Sequence, residues 1–250
     1  MQREWHAEAT QLDGLGMSWR AIATQLGIPR STVSDFLRKG PVKPAEKLSY
    51  AGRAKVLFID LESAPTSAYI WKRWKENIGL SQVISEGYLL TYSAKWYGED
   101  LMMSNRIHSP EDDRALTLEI AELFEQADVI VAHNAKRFDV PLTLTRMLYN
   151  GLVPPSPYKV VDTLEIAKKV FKFPSNSLDS LASYLGLDRK MHNEGFDLWK
   201  KCMAGEDEAF ETMLEYNRQD VVVLEQVYEK LAPWYSQHPN LSVYYNDGQH

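Results

Sequence analysis

The apolar positions of the first 38 residues fall into three helical stretches separated by two turns. Turns are predicted at Gly14-Leu15-Gly16 and at Gly27-Ile28-Pro29, because glycine and proline interrupt helices. The following segment, Gly40 to Pro44, holds two prolines and continues a helix poorly. We therefore predict a small all-α domain over residues 1–40 and a linker over residues 41–52.

From residue 53 onward, short apolar runs rich in β-branched residues replace this pattern and are separated by longer amphipathic stretches. Strands mixed with helices in this order predict a three-layer α/β domain over residues 53–235, followed by a tail over residues 236–250. The strands are expected at 55–60, 88–96, 128–132 and 160–162, and the helices at 114–126, from about 140, at 178–185 and at 209–231.

Composition narrows the class of protein without identifying a function. A chain of 250 residues with 44% hydrophobic and 25% charged residues is typical of soluble globular proteins. It contains neither an apolar run of about 18 residues nor a signal peptide, which predicts a cytoplasmic protein with no membrane partner. Its one cysteine, Cys202, excludes an internal disulfide and a cysteine-based zinc site.

Charge is distributed unevenly along the chain. The net charge is −6, although residues 1–52 hold seven basic and five acidic side chains. The acidic excess therefore lies in the predicted α/β domain. Such an excess is expected where carboxylates hold divalent cations, because the bound metal then supplies the positive charge that phosphate meets.

The segment from Trp19 to Arg38 has helix-turn-helix spacing, with a small Ala23 where two helices cross and Gly27 in the turn. It resembles the DNA-binding helix-turn-helix of bacterial and phage regulators and recombinases. The resemblance implies a recognition helix over residues 29–38. A helical bundle used for protein contacts is the alternative, since Asp35 and the near-neutral charge weaken phosphate binding. The expected shared apolar face consists of Ile22, Leu26, Val33 and Phe36, and the expected DNA contacts are Arg30, Ser31, Thr32 and Ser34.

Carboxylates occur at three places in the α/β part. Asp60 and Glu62 follow the first strand, where a period of two turns both side chains to one side of the sheet. Asp139 follows the strand at 128–132, and Tyr216 and Asp220 share one face of the last helix. Each has an ordinary structural explanation when taken alone, as a turn, a helix cap, a solvent-facing acid or a core aromatic.

The order of these motifs carries more information than any one of them. Asp-x-Glu, Asn-x-x-x-Phe-Asp and Tyr-x-x-x-Asp, from Asp60 to Asp220, resemble the DEDD superfamily of 3′-5′ exonucleases, in the tyrosine subclass with a ribonuclease H-like fold. The spacing from Asn134 to Asp139 is similar to that of the proofreading domains of family B DNA polymerases and their stand-alone bacterial and phage relatives. The resemblance implies a central mixed β-sheet and a two-metal nuclease.

Carried over by motif, the resemblance implies two Mg²⁺ or Mn²⁺ ions, bound by all four carboxylates. Asp60 would bridge both ions, Glu62 and Asp220 would hold the first, and Asp139 would lie near the second, largely through water. Tyr216 would orient the attacking water. Asn134 and Phe138 would contact the substrate. Paired metals suit this chemistry, since negative charge builds on both the attacking and the leaving oxygen.

These expectations leave several functions open. The leading hypothesis is a 3′-5′ exonuclease acting on single-stranded DNA or frayed ends, as in phage or mobile-element replication or repair. RNA is the alternative substrate. Two further alternatives are a DNA-binding regulator with an inactive scaffold and a proofreading subunit that needs a separate polymerase. Tyr69, Trp71 and Trp74 lie between the first two strands; they could stack on bases in single strands or pack as core or lid residues.

Overall fold

The fold is described from a computed structural model, which describes residues 5–39, 54–187 and 195–241. The chain divides into two compact units, residues 1–48 and 49–250. The predicted linker over residues 41–52 and the last nine residues of the predicted tail lie outside the described residues. None of the described helices is both long and apolar enough to cross a membrane.

The first unit contains the three helices expected from its sequence: α1 (Trp5–Gly14), α2 (Trp19–Leu26) and α3 (Arg30–Lys39). The Ser18 hydroxyl accepts a hydrogen bond from the Ala21 amide at the start of α2, and Gly27 ends α2 with a φ of +64°, which suits glycine. A small apolar core joins all three helices. It consists of Ala9, Ile22, Ala23 and Val33, while the side chain of Phe36 lies outside the described part.

The second unit is built on a mixed sheet, which confirms the predicted α/β class. Its described strands and helices are β1 (Val56–Ser63), β2 (Ser67–Ala68), β3 (Val83–Ser85), β4 (Leu89–Trp96), β5 (Met103–Arg106), α4 (Arg114–Gln126), β6 (Val129–Ala132), α5 (Asp139–Tyr149), β7 (Lys159–Asp162), α6 (Thr163–Val170), α7 (Leu178–Leu185), α8 (Phe196–Met203) and α9 (Asp207–Leu231). Within the described residues, five of the strands form one sheet in the order β5-β4-β1-β6-β7. Strand β1 is therefore central, antiparallel to β4 and parallel to β6.

The two faces of β1 have different neighbours because successive side chains point to opposite sides of a sheet. Leu57, Ile59 and Leu61 enter the main hydrophobic cluster, which includes Ile120 and Phe124 of α4. On the other face, the ring of Phe58 meets the ring of Tyr228 of α9 edge-on, with centroids 5.2 Å apart. The carboxylates at positions 60 and 62 continue this second face, so the alternation of β1 directs them towards α9.

Several details differ from the sequence prediction. Strand β1 does not end at Asp60 but continues to Ser63, because its pairing with β4 extends that far. The short strand β5, the β2–β3 pair, and helices α6 and α8 were not expected. Helix α6 starts directly after β7, where Asp162 accepts hydrogen bonds from the Leu164 and Glu165 amides. A helix start that is fixed by a capping side chain cannot be recognised from the pattern of apolar residues alone.

Candidate active site

Three of the predicted carboxylates meet at the centre of the sheet. Asp60 and Glu62 project from β1, and Asp220 projects from the buried face of α9; one oxygen atom from each lies within 4.8 Å of the other two. Asp220 is buried, and the two residues of β1 are partly buried. The cluster forms because the alternation of β1 and the helical period of α9 point these side chains at each other.

The carboxylate of Asp60 is oriented by Asn217, a residue that the sequence analysis did not single out. The Asn217 amide nitrogen donates to Asp60 Oδ2 at 2.6 Å and to the Asp60 backbone oxygen at 3.1 Å. Thr91 of β4 donates to the other end of the same amide at 3.4 Å. Both Asn217 and Thr91 are fully buried. Asn217 therefore fixes the rotamer of Asp60 from within the core.

Asp139 lies beside this cluster at the first position of α5 and is only 2% exposed. Burial raises the pKa of the Asp139 carboxyl well above its ordinary value, and the negative charges of Asp60 and Asp162 add to the rise. The Leu61 backbone amide of β1 opposes the rise and lowers the pKa of the carboxyl, so the side chain lies close to this strand, next to Asp60. A nearby cation would stabilise the ionised form of a carboxyl group in this position.

The loop between β6 and α5 is shaped by Asp162 at the end of the neighbouring strand. Its two carboxylate oxygens accept hydrogen bonds from the Asn134 and Lys136 amides at 3.0 and 3.1 Å. Asn134 has a φ of +75°, a left-handed conformation that asparagine tolerates better than most residues. This backbone conformation accounts for an asparagine at position 134. The predicted substrate contacts of Asn134 and of the exposed Phe138 stay predictions.

Two other residues of this loop have structural partners. The His133 ring lies 2.9 Å from the Thr163 hydroxyl and 3.0 Å from the Asn176 backbone oxygen, so it joins the loop to α6 and to the turn before α7. Lys136 forms an ion pair with Glu165. Both side chains therefore stabilise the loop itself.

An open cavity of about 510 Å³ adjoins the last helix of the second unit. Tyr216 lies in its wall, one helical turn before Asp220, and its ring meets that of Trp199 edge-on with centroids 6.5 Å apart. The volume is within the range of small-ligand sites, about 300 to 1,000 Å³. The complete lining is Ser63, Pro65, Gly195, Phe196, Trp199 and Tyr216.

The predicted DNA contacts of the first unit lie along the start of α3. Arg30 and Ser31 are exposed, whereas Thr32 and Ser34 are partly buried. The Ser34 hydroxyl donates to the Ser31 backbone oxygen at 2.9 Å, an ordinary contact within a helix. The structure therefore exposes two of the four side chains, and DNA binding by α3 stays a prediction.

The donor set of the carboxylate cluster fits a divalent metal. Asp60, Glu62 and Asp220 offer hard oxygen ligands close together, as Mg²⁺ and Mn²⁺ require. Asp139 could add a further ligand or hold a water molecule from its buried position. The cluster is therefore compatible with the predicted metals, whose number and identity follow from the resemblance alone.

Some residues behind or beside the cluster were not predicted from the sequence. Asn217 could have been found, because it is a polar residue on the apolar face of the long helix, three positions before Asp220. Asp162 had a weaker signal as an acid at the end of a short strand. Trp199 and Phe196 gave none, since they come from a short helix that the pattern did not reveal.

The sheet has the strand order β5-β4-β1-β6-β7, and its central strand carries two of the three clustered carboxylates. This combination is typical of the ribonuclease H-like class of α/β protein. A family model described as the RNase H superfamily matches residues 76–232, more than half of the chain. The chain belongs to this superfamily. Its membership and the carboxylate cluster together support a nuclease.

A solved structure shares this fold. The chain is similar to the family B DNA polymerase from the hyperthermophilic archaeon Pyrobaculum calidifontis, with 17% sequence identity and a TM-score of 0.54. The match covers 73% of this chain and 25% of the polymerase chain, so this chain spans about a quarter of that protein. No curated protein matched the chain by sequence.

Proposed function

We propose that the second unit is a metal-dependent 3′-5′ exonuclease that removes nucleotides from single-stranded DNA. The observation that carries the proposal is the meeting of Asp60, Glu62 and Asp220 within 4.8 Å. Two Mg²⁺ or Mn²⁺ ions are the proposed cofactors, in the tyrosine subclass of the DEDD superfamily. The 3′-5′ polarity rests on the resemblance to that superfamily, and DNA is the leading substrate with RNA as the alternative.

Each residue has a defined task in this proposal. Asp60, Glu62, Asp139 and Asp220 hold the ions, and Asn217 keeps the Asp60 carboxylate in place. Bound divalent ions supply Lewis acidity, which activates water and stabilises the leaving oxygen. The Tyr216 hydroxyl orients the attacking water rather than deprotonating it, because phenols are weak bases at neutral pH.

The cavity beside Tyr216 is the proposed site of the terminal nucleotide. Its wall includes the rings of Phe196 and Trp199, which offer flat apolar surfaces to a base or sugar. Asn134 and Phe138 are proposed to contact the substrate from the loop before α5. Helix α3 of the first unit is proposed as a recognition helix for duplex DNA, through Arg30, Ser31, Thr32 and Ser34.

The test uses single-stranded DNA and RNA labelled at either end, incubated with Mg²⁺, with Mn²⁺ or with a chelator. We expect a metal-dependent ladder from the 5′-labelled DNA and immediate release of a 3′ label. A Tyr216→Phe variant should still bind metal but turn over about tenfold more slowly, since it lacks the hydroxyl that orients water.

Asp60→Asn, purified in parallel, is the control for a contaminating nuclease and should leave every strand intact. Degradation of RNA alone would replace DNA by RNA as the substrate. Release of the 5′ label first would contradict the proposed polarity. No cleavage under any condition would favour a scaffold or a subunit that requires a polymerase.

A further inference from the structure

One segment of the second unit displays large apolar side chains to solvent. This segment, here called the aromatic arm, comprises residues 67–85 and includes the β2–β3 pair. Trp71 and Trp74 are 91% and 83% exposed, and Tyr69 and Leu80 are also largely exposed. Contiguous exposed apolar residues mark interaction sites more often than single ones do. Their exposure excludes the core packing that the sequence left open.

The arm holds its shape through its own hydrogen bonds. The Glu76 carboxylate accepts from the Trp71 and Lys72 amides at 3.1 and 2.6 Å. The Gln82 side-chain amide donates to the Tyr69 backbone oxygen and to Glu76, and its carbonyl accepts from the Gly79 amide. The two tryptophans therefore extend from an ordered turn. Binding there loses less conformational entropy, because the backbone that carries the rings is already ordered.

The base of the arm is fixed against the main sheet. The Ala64 amide donates to the Tyr88 backbone oxygen at 2.8 Å, which joins the two segments that flank the arm. Gly87 completes this closure because a Cβ atom at that position would lie 2.9 Å from the Ala64 backbone oxygen. The arm therefore leaves the sheet at a defined point rather than through a loose connection.

Charge distinguishes among the partners that such an apolar surface could bind. Lys72, Arg73 and Lys75 interrupt the aromatic residues, and Glu76 is the one acid of the arm. None of these three cations forms an ion pair within the described part of the chain. Since the whole protein carries −6, this local excess of positive charge favours a polyanion.

The position of the arm relates it to the proposed substrate cavity. Ser63 and Pro65 line the cavity, and the first strand of the arm begins two residues later, at Ser67. The arm therefore begins next to the cavity. Rings that stack on bases, interleaved with cations that meet phosphates, are the usual means of binding single strands without sequence preference.

We propose that the aromatic arm binds the single-stranded nucleic acid upstream of the 3′ end, with bases stacked on Trp71 and Trp74. Lys72, Arg73 and Lys75 contact the phosphates. The placement of the strand rests on the proposed exonuclease function, whereas binding by the arm can be measured without hydrolysis.

The direct test is photocrosslinking in the presence of chelator. A strand of about 20 nucleotides carrying 5-iododeoxyuridine upstream of its 3′ end is irradiated with the full chain, and crosslinked peptides are mapped by mass spectrometry. We expect crosslinks at Trp71 or Trp74. Crosslinks confined to the first unit or to other surfaces of the second would overturn the proposal.

Variants give the second test. The Trp71→Ala/Trp74→Ala double variant should raise KM for a strand of about 20 nucleotides by about 30-fold or more, since it removes two base stacks that contribute at least about 1 kcal/mol each. A strand of two nucleotides, of which the cavity is proposed to hold the terminal one, should be hydrolysed at the wild-type rate. Trp234→Ala removes another exposed ring, 69% exposed, and is the matched control. Thermal unfolding verifies that all variants fold.

A charge variant separates phosphate contacts from stacking. Changing Lys72, Arg73 and Lys75 to alanine should reduce the slope of log KM against log salt concentration by about 0.7 per lost phosphate contact. An unchanged slope together with an unchanged KM in the tryptophan variant would overturn the proposal.

These tests keep the arm and the proposed function apart. Arm crosslinks in a protein that cleaves nothing would support the arm and contradict the exonuclease. Normal hydrolysis of long strands by the tryptophan variant would support the exonuclease and contradict strand binding by the arm. If sedimentation showed that wild type self-associates and the variant does not, with equal strand binding, the arm would be an interface between copies.

Discussion

Two buried aspartates in the second unit have opposite surroundings. Asp113, at the start of α4, is 1% exposed, and Asp139, at the start of α5, is 2% exposed. Burial raises the pKa of the Asp113 carboxyl, but hydrogen bonds from Arg146, the Leu89 amide and Asn150 outweigh it, so its pKa lies below the usual range. At Asp139, burial and the Asp60 and Asp162 charges all raise the pKa.

The difference separates a structural acid from an acid suited to bind a cation. Arg146 donates to both oxygens of Asp113, at 2.6 and 2.8 Å, and thereby ties α5 to α4. Around Asp139, the neighbours are further carboxylates, which cost free energy when the protein is folded without metal. A bound cation best explains why the protein keeps these acids together, because it would offset their mutual repulsion.

The largest expected effect comes from removing a carboxylate of the cluster. Asp220→Asn should lower the rate of strand hydrolysis by about a thousandfold or more, because metal binding contributes several kcal/mol to such reactions. Its free energy of unfolding without metal should not fall, since one of several like charges is lost. Single-turnover hydrolysis and urea unfolding in chelator measure the two quantities. Full activity in this variant would contradict the assignment of Asp220.

The next effect tests the structural side of the comparison. Asp113→Asn should lower the free energy of unfolding by about 3 kcal/mol, because it leaves the Arg146 guanidinium buried without its partner. The remaining folded protein should hydrolyse strands at the wild-type rate at low temperature. Urea unfolding gives the first result and a rate per folded molecule the second. A loss of rate per folded molecule alongside the loss of stability would show that the Asp113–Arg146 pair is coupled to the carboxylate cluster.

Asn217 offers a smaller and more local change. Asn217→Ala should weaken Mn²⁺ binding by about 10- to 100-fold, because partners behind a ligand orient it and tune its basicity. Calorimetry of Mn²⁺ binding measures this without any substrate. Thr91→Val, which removes the more distant contact behind Asn217, should change the affinity much less. Equal affinities in wild type and Asn217→Ala would show that Asp60 needs no such support.

The comparison also indicates what the sequence could predict. Asp60, Glu62 and Asp220 were expected together because the order of their motifs resembles that of the DEDD superfamily. Periodicity alone predicted only which side chains share a face of one strand or helix. Asp113 and Arg146 were not, since they are 33 residues apart and each resembles an ordinary surface residue in its helix. The exposure of Trp71 and Trp74 was equally hidden, because apolar residues in a loop are compatible with both core and surface.

The smallest effect is the pH dependence that Asp113 contributes to stability. Its folded-state pKa lies below the unfolded value of about 3.9, so its contribution is complete above that pH and is lost as the pH falls through the folded-state value. The difference in free energy of unfolding between wild type and Asp113→Asn should therefore be constant from pH 5 to 7 and shrink below about pH 4. Urea unfolding in chelator at several pH values tests this, and taking the difference cancels the titration of the other acids. A difference that grew on acidification would mean that the folded protein favours the protonated form of Asp113.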